Sequence, residues 1–320
     1  MNTLHFILDG WDLPSEWRQF PEHLPAYHTP TLDNLRRFGA CQNHSHNLMQ
    51  FSFSGSLKAL ILQDLDLPSD TPSCLVAPLS QFMDMHSMQV IWGEDLQLSW
   101  TSAHQICDLL NDFVRDTGWQ FHPYHADLWL VTMPHNQDWQ AADIWSIAQR
   151  IDHTHTIDGE DAAPIRTLLT EMQMLLFSHT QQANRQDKPP INGVWLWQDT
   201  IGVGTQQTAV MGNAIWLPEK NNLLINQDFS WDDIQRLADN KPHITLYSNR
   251  ANHHLQQGGL LQHAEFLADF DKNILTPAFL ALKKGNLKKL IITGKEHTYT
   301  LTPKSHWRFW KRKQGFSGGI

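Results

Sequence analysis

The chain has 320 residues, 41% of them hydrophobic, and a formal net charge of −9. That apolar content can bury a substantial core and excludes disorder as the main state. No apolar run approaches the roughly 20 residues that cross a bilayer, and the opening Met1-Asn2-Thr3-Leu4-His5 has neither a basic region nor a cleavable apolar segment. A cytoplasmic protein with no membrane partner is therefore expected. Cys41, Cys74 and Cys107 are too few and too far apart for a disulfide framework and form no C-x-x-C pair, so reduced, buried thiols are expected. Their even spacing has no matching flanks and implies no repeat. Residues 283–320 hold ten of the 24 Lys and Arg residues and a single acid, Glu296. Neutralisation against the acidic body is the expected use of this basic tail, ahead of an anionic ligand, nucleic acid or a membrane surface.

In chain order, Thr3–Leu8 reads as a buried strand stopped by the turn pair Asp9-Gly10. Thr29-Pro30, the apolar positions Leu32, Leu35 and Phe38, and the closing Gly39 predict a helix with Thr29 as its cap. Leu57–Leu62 is expected to be helical. Strands are expected at 89–92 and 96–100, a helix over 102–117 ended by Gly118, and a hairpin from 119–122 and 127–133. Between Asp161 and His179, Ile165, Leu168, Leu169, Met172, Leu175 and Leu176 recur at helical spacing. On that helix Glu171 and Gln173 flank the apolar stripe and His179 lies within it. Ile191–Trp197 then forms a strand with Trp195 and Trp197 on one face. Further strands are expected at 214–217 and 243–247, helices after Ser230, at 260–270 and at 273–283, and a hairpin 288–293/297–302 turned by Gly294-Lys295. The fold class expected is mixed α/β with an α+β segment in the middle. Residues 1–80 and 155–320 would make one domain and 81–154 an inserted subdomain.

The run Leu168–Leu176, then His179, Asn184-Arg185, Pro190-Ile191-Asn192 and Trp195-Leu196-Trp197, resembles the signature of the RpfE-type regulatory proteins. Leu282–Leu290 and Trp307-Arg308-Phe309-Trp310 resemble that family's basic C-terminal end. Phe6-Ile7-Leu8-Asp9-Gly10-Trp11 and His28–Leu35 are in turn similar to the N-terminus of the alkaline phosphatase superfamily, which includes cofactor-independent phosphoglycerate mutase. That resemblance implies a mutase-like central sheet flanked by helices, with Asp9 as a metal ligand. Catalysis in that superfamily uses two divalent metals, a Ser or Thr nucleophile and a late Asp-His-Gly motif. This sequence has no Asp-His-Gly; Asp152-His153-Thr154-His155 is the nearest cluster and lies too early. The departure implies that the two-metal site is lost and that no cofactor is needed.

Each candidate site has a functional and a plain reading. Asp9 is either a metal ligand at a strand end or a turn residue before Gly10. Ser52, Ser54 and Ser56 present a nucleophile or cap a helix. His28, His44 and His46 are a metal cluster or chance neighbours among 19 histidines. Glu171, Gln173, His179, Asn184, Arg185 and Asn192 either converge on a small anionic ligand, with Arg185 as the fork, or lock the loop between helix and strand. Trp195 and Trp197 are expected in the core. Trp307, Phe309 and Trp310, interleaved with basic residues, have the composition of a single-strand binder but no motif frames them. The leading expectation is a regulatory or ligand-sensing protein, a catalytically degenerate homologue of phosphoglycerate mutase. An active phosphomutase or phosphotransferase using manganese or zinc is the alternative, and a nucleic-acid-associated regulator the third.

Overall fold

The computed structural model describes residues 1–12, 24–83, 88–147, 150–151, 156–182, 188–204, 208–212, 223–225, 230–238, 241–256 and 259–305. The chain divides into two compact units, residues 1–54 with 202–320 and residues 55–201. The inner unit extends beyond 81–154 on both sides, since helix Ala162–Gln182 and strand Gly193–Trp197 belong to it.

The first unit is built on a seven-stranded sheet in the order Leu223–Ile225, Thr208–Gly212, His243–Ser248, Thr3–Leu8, Lys289–Thr293, His297–Leu301, Ala40–Asn43. The first five strands are parallel and the last two antiparallel to their neighbours. Thr3–Leu8 is central, with Leu4 opposite both Ile244 and Leu290. Its near-continuous apolar run is what a strand covered on both faces requires, and Leu4, Phe6, Ile7 and Leu8 are all buried. Leu32 and Leu35 from one helix and Leu267 and Phe270 from another join that strand in one core. The expected strand at 214–217 lies outside the described residues. Helix Arg250–Gln256 was not expected, because only Ala251 and Leu255 in it face the core.

Helix Pro30–Phe38 forms where expected, but Thr29 does not cap it. The buried carboxylate of Asp271 does so instead, accepting from Thr31 N–H at 3.2 Å and Leu32 N–H at 2.7 Å. A charged acceptor at a helix N-terminus satisfies orphan donors and complements the macrodipole. Burial raises the pKa of Asp271, while the Leu32 and Thr31 amides draw it back down. Asp271 opens a π-helical turn, Asp271–Leu275, that joins Leu260–Phe270 to Thr276–Lys283 without a break. Pro277, which lacks an N–H, accounts for the local widening of that helix.

In the inner unit, strand Ser73–Met83 is the spine. Leu75 and Val76 pair with Leu130 and Trp129 on one side and with Trp197 and Leu196 on the other. Its far end pairs with Met88–Ile91. Trp195 and Trp197 lie in the core as expected. Cys74 and Cys107 are buried, whereas Cys41 is exposed on the edge strand Ala40–Asn43. The expected strand at 96–100 is replaced by a left-handed turn at Gln97 and a helix, Trp100–Phe113, whose Ser99 cap accepts from Ser102 N–H. Helix Leu57–Asp64 is capped by Ser56, and Ser56 is itself held by Asp199, which also accepts from Lys58 N–H at 2.9 Å.

Two asparagines extend this unit's ladders with their side chains. Asn192 accepts from Gln81 N–H at 2.7 Å and donates to Gln81 C=O at 2.8 Å. Asn111 does the same to Phe121, at 2.6 and 3.0 Å. We expect Asn192→Ala to lower stability by about 1–2 kcal/mol in urea unfolding, because two partly buried backbone groups of Gln81 lose their partners. Asp271→Ala should cost about 2 kcal/mol, whereas Thr29→Val should be neutral or stabilising, as the buried Thr29 hydroxyl has no hydrogen-bond partner. Equal losses in the two variants would refute the assignment of the cap.

Candidate functional site

Parallel strands His243–Ser248, Thr3–Leu8 and Lys289–Thr293 end side by side, with Leu8 opposite Ser248 and Ile7 opposite Thr293. The carboxyl ends of parallel strands are where open α/β sheets hold ligands, and here three such ends are adjacent. Asp9 is the first residue beyond the central strand. Its amide donates to Ser248 C=O at 2.8 Å and its carbonyl accepts from Asn252 N–H at 3.0 Å. Gly10 follows at φ +79°, and a Cβ there would collide with the Asn252 backbone. Glycine is therefore required twice over, by backbone conformation and by space.

The Asp9 carboxylate accepts from the Asn252 side-chain amide at 3.0 Å. Burial pushes its pKa up to about 6, against the lowering effects of the Lys295 ammonium, the Asn252 amide and the Gly10 N–H. His263, fully buried, supports the turn: one ring nitrogen contacts Gly10 C=O at 2.8 Å and the other the Tyr27 hydroxyl at 2.9 Å. The carbonyl needs a donor, which places the proton on Nε2 and leaves Nδ1 to accept from Tyr27. On the central strand itself, His5 Nε2 meets Thr293 Oγ1 at 2.7 Å, and Thr293 continues to Thr298 at 2.9 Å. Burial, then the charge of Lys289, lowers the His5 pKa to about 4.

Among the described residues, the Asn252 amide bonds Asp9 directly, and the charge of the exposed Lys295 also acts on it. Two bridged divalent ions need several carboxylates or imidazoles, and this donor set does not supply them. Among the described residues no three His, Cys, Asp or Glu side chains converge to hold a metal ion. His44 and His46 are close neighbours around Phe51, while His28 is exposed. Ser56 acts as a helix cap, and Ser52 is buried. The cluster at 152–155 lies outside the described residues.

The polar set around helix Ala162–Gln182 divides. Glu171 is exposed, Gln173 and His179 are partly buried, and Asn192 is occupied by the Gln81 backbone. Asn184 and Arg185 lie outside the described residues, as do Trp307, Phe309 and Trp310. Sequence reasoning missed Asn252 and His263. Both sit on helices that begin after Ser248, and no motif marks them; the only signal was their place after a strand aligned with Asp9.

No protein-family model and no curated protein matches the chain. Among solved structures, it is similar to cofactor-independent phosphoglycerate mutase from Thermoplasma acidophilum, at 11% identity and TM-score 0.43, over 94% of this chain and 89% of that one. It is also similar to the PH0037 protein from Pyrococcus horikoshii, at 10% identity and TM-score 0.53, over 94% of this chain and 87% of that one. No described helix is long and apolar enough to cross a membrane. The chain adopts the mixed α/β fold expected of it, a central sheet flanked by helices, and shares that fold with the PH0037 protein.

Proposed function

We propose that this chain is a non-catalytic, ligand-sensing regulatory protein of phosphoglycerate mutase-like descent and RpfE type, acting in the cytoplasm without a metal cofactor. The observation that carries this reading is the hydrogen bond from the Asn252 amide to Asp9. Where a metal-dependent relative would set a cation against the strand-end carboxylate, this chain sets a neutral donor, with Lys295 supplying positive charge. Asp9, Asn252 and Lys295 together suit a small oxyanion. Lys295 attracts it, Asn252 can turn its amide to it, and Asp9 becomes a donor once protonated. Because Asp9 takes its proton near pH 6, an arriving anion should bring a proton with it.

Calorimetry with inorganic phosphate as probe tests this. Affinity should rise as pH falls through about 6, with proton uptake seen in buffers of different ionisation enthalpy, and Lys295→Ala should weaken it at least tenfold, the order expected for one charged hydrogen bond. Manganese and zinc should show no Asp9-dependent binding. Two equivalents of either ion per chain, lost in Asp9→Ala, would instead establish the metal-dependent phosphomutase or phosphotransferase.

Asp9 and His5 also make opposite contributions to stability. Asp9 has an ordinary pKa of 3.8 and a folded value near 6, so the native state binds the proton first and stability rises as pH falls between those values. His5 has an ordinary pKa of 6.5 and a folded value near 4, so the unfolded state binds first and stability falls over almost the same interval. The two largely cancel in the wild type. Asp9→Asn should raise stability at pH 7.5 by up to about 3 kcal/mol and expose a steeper loss on acidification to pH 4. His5→Asn should lose less stability on acidification than the wild type. Urea midpoints measured across pH decide the matter; parallel profiles for all three proteins would contradict it.

A further inference from the structure

His44 follows the edge strand Ala40–Asn43 and is partly buried. Its backbone N–H donates to Glu296 C=O at 3.1 Å. Its ring Nε2 lies 3.0 Å from Gly294 C=O and its Nδ1 3.2 Å from His46 C=O. A carbonyl oxygen only accepts, and a neutral imidazole carries one N–H. Both ring contacts are hydrogen bonds at once only when the ring is an imidazolium. The ring also makes an edge-to-face contact with Phe51, centroids 4.8 Å apart.

We propose that His44 is a proton-operated clasp on the hairpin turn Gly294–Glu296, the turn that carries Lys295. In the neutral state the ring holds either Gly294 or its own loop at His46. Protonation lets it hold both, so that loop and turn are tied together. That this bears on ligand binding rests on the reading of Lys295 as part of the Asp9 site; the clasp itself does not depend on it. Gly294 lends itself to such a grip, because a Cβ there would strike the indole of Trp11 and the turn therefore lies flat against it.

The groups facing His44 set the pH at which it works. His46 stands in the same loop, His297 on the neighbouring strand, and Lys295 and Glu296 are exposed in the turn itself. His5 also meets Phe51, with ring centroids 6.1 Å apart. Burial lowers the His44 pKa, the Gly294 and His46 carbonyls oppose that shift, and the charges of His46 and His297 add to it. The clasp therefore closes on the acid side of the ordinary histidine range, and removing either neighbouring imidazole should move closure to higher pH.

Imidazole nitrogen NMR on the full-length protein, without any ligand, tests the clasp. Between pH 8 and pH 4.5 His44 should change from one protonated nitrogen to two. The protection factor of the residue 44 amide, bonded to Glu296, should rise about tenfold, the effect of one added charged hydrogen bond. His44→Gln should keep the fold and lose that rise, and His46→Gln or His297→Gln should shift it to higher pH. If His44 retains an unprotonated nitrogen to pH 4.5, or the protection factor is unchanged in the wild type, the clasp is refuted. A failure of phosphate to bind would remove the Asp9 reading and leave these measurements unaffected.

Discussion

The close approach of Gly10 to the backbone of Asn252 is the constraint on which the candidate site depends. Because no side chain intervenes, the turn after the central strand packs directly on helix Arg250–Gln256. One contact therefore brings the Asp9 carbonyl to the Asn252 N–H and the Asp9 carboxylate to the Asn252 side chain. His263 then locks the same turn through the Gly10 carbonyl. Any larger residue at position 10 would have to push that helix away, and the carboxylate would lose its amide partner. Geometry of backbone contact, more than the identity of the acid, makes this strand end different from an ordinary turn.

Each unit fixes a helix start with a carboxylate drawn from far along the chain. Asp271 lies 240 residues from Thr31, and Asp199 lies 141 residues from Lys58. A local cap such as Ser56 forms as soon as its helix does, whereas these distant carboxylates reach their amides only once the segments have met. The helix start and the tertiary fold are then stabilised together, which favours all-or-none assembly of each unit. Burial raises the pKa of Asp271, so its amide donors are also what keeps a charged cap there tolerable.

Periodicity and punctuation made much of the fold legible. Thr3–Leu8, the helix after Pro30, the hairpin around Asp127 and the helix through Met172 all lie where apolar spacing and turn residues put them. Leu96–Trp100 misled because its alternation is that of a strand, while Ser99 is a strong helix cap and Gln97 adopts a left-handed turn. Thr29 misled similarly: a threonine before proline has the composition of a cap, yet a buried acid displaced it. Asp9 was legible as a strand-end acid. Asn252 was not, because its role is set by which strands lie side by side, and strand order is not written in local spacing. Asn192 stood out in the sequence, and its environment shows the work of an amide that holds backbone.

The asparagine clamps have a consequence for how the chain meets other chains. Strand Gln120–His125 lies at the margin of its sheet, pairing among the described residues only with Leu128–Thr132. A free margin of this kind is a template onto which a foreign strand can add. Asn111 fills the outward donor and acceptor of Phe121 with its own amide, and Pro123, two residues on, has no N–H to offer. The margin is thereby closed to strand addition at its middle without the cost of another strand. Asparagine suits the task because its side chain is a peptide group in miniature, able to end a sheet by imitating the next strand for a single residue.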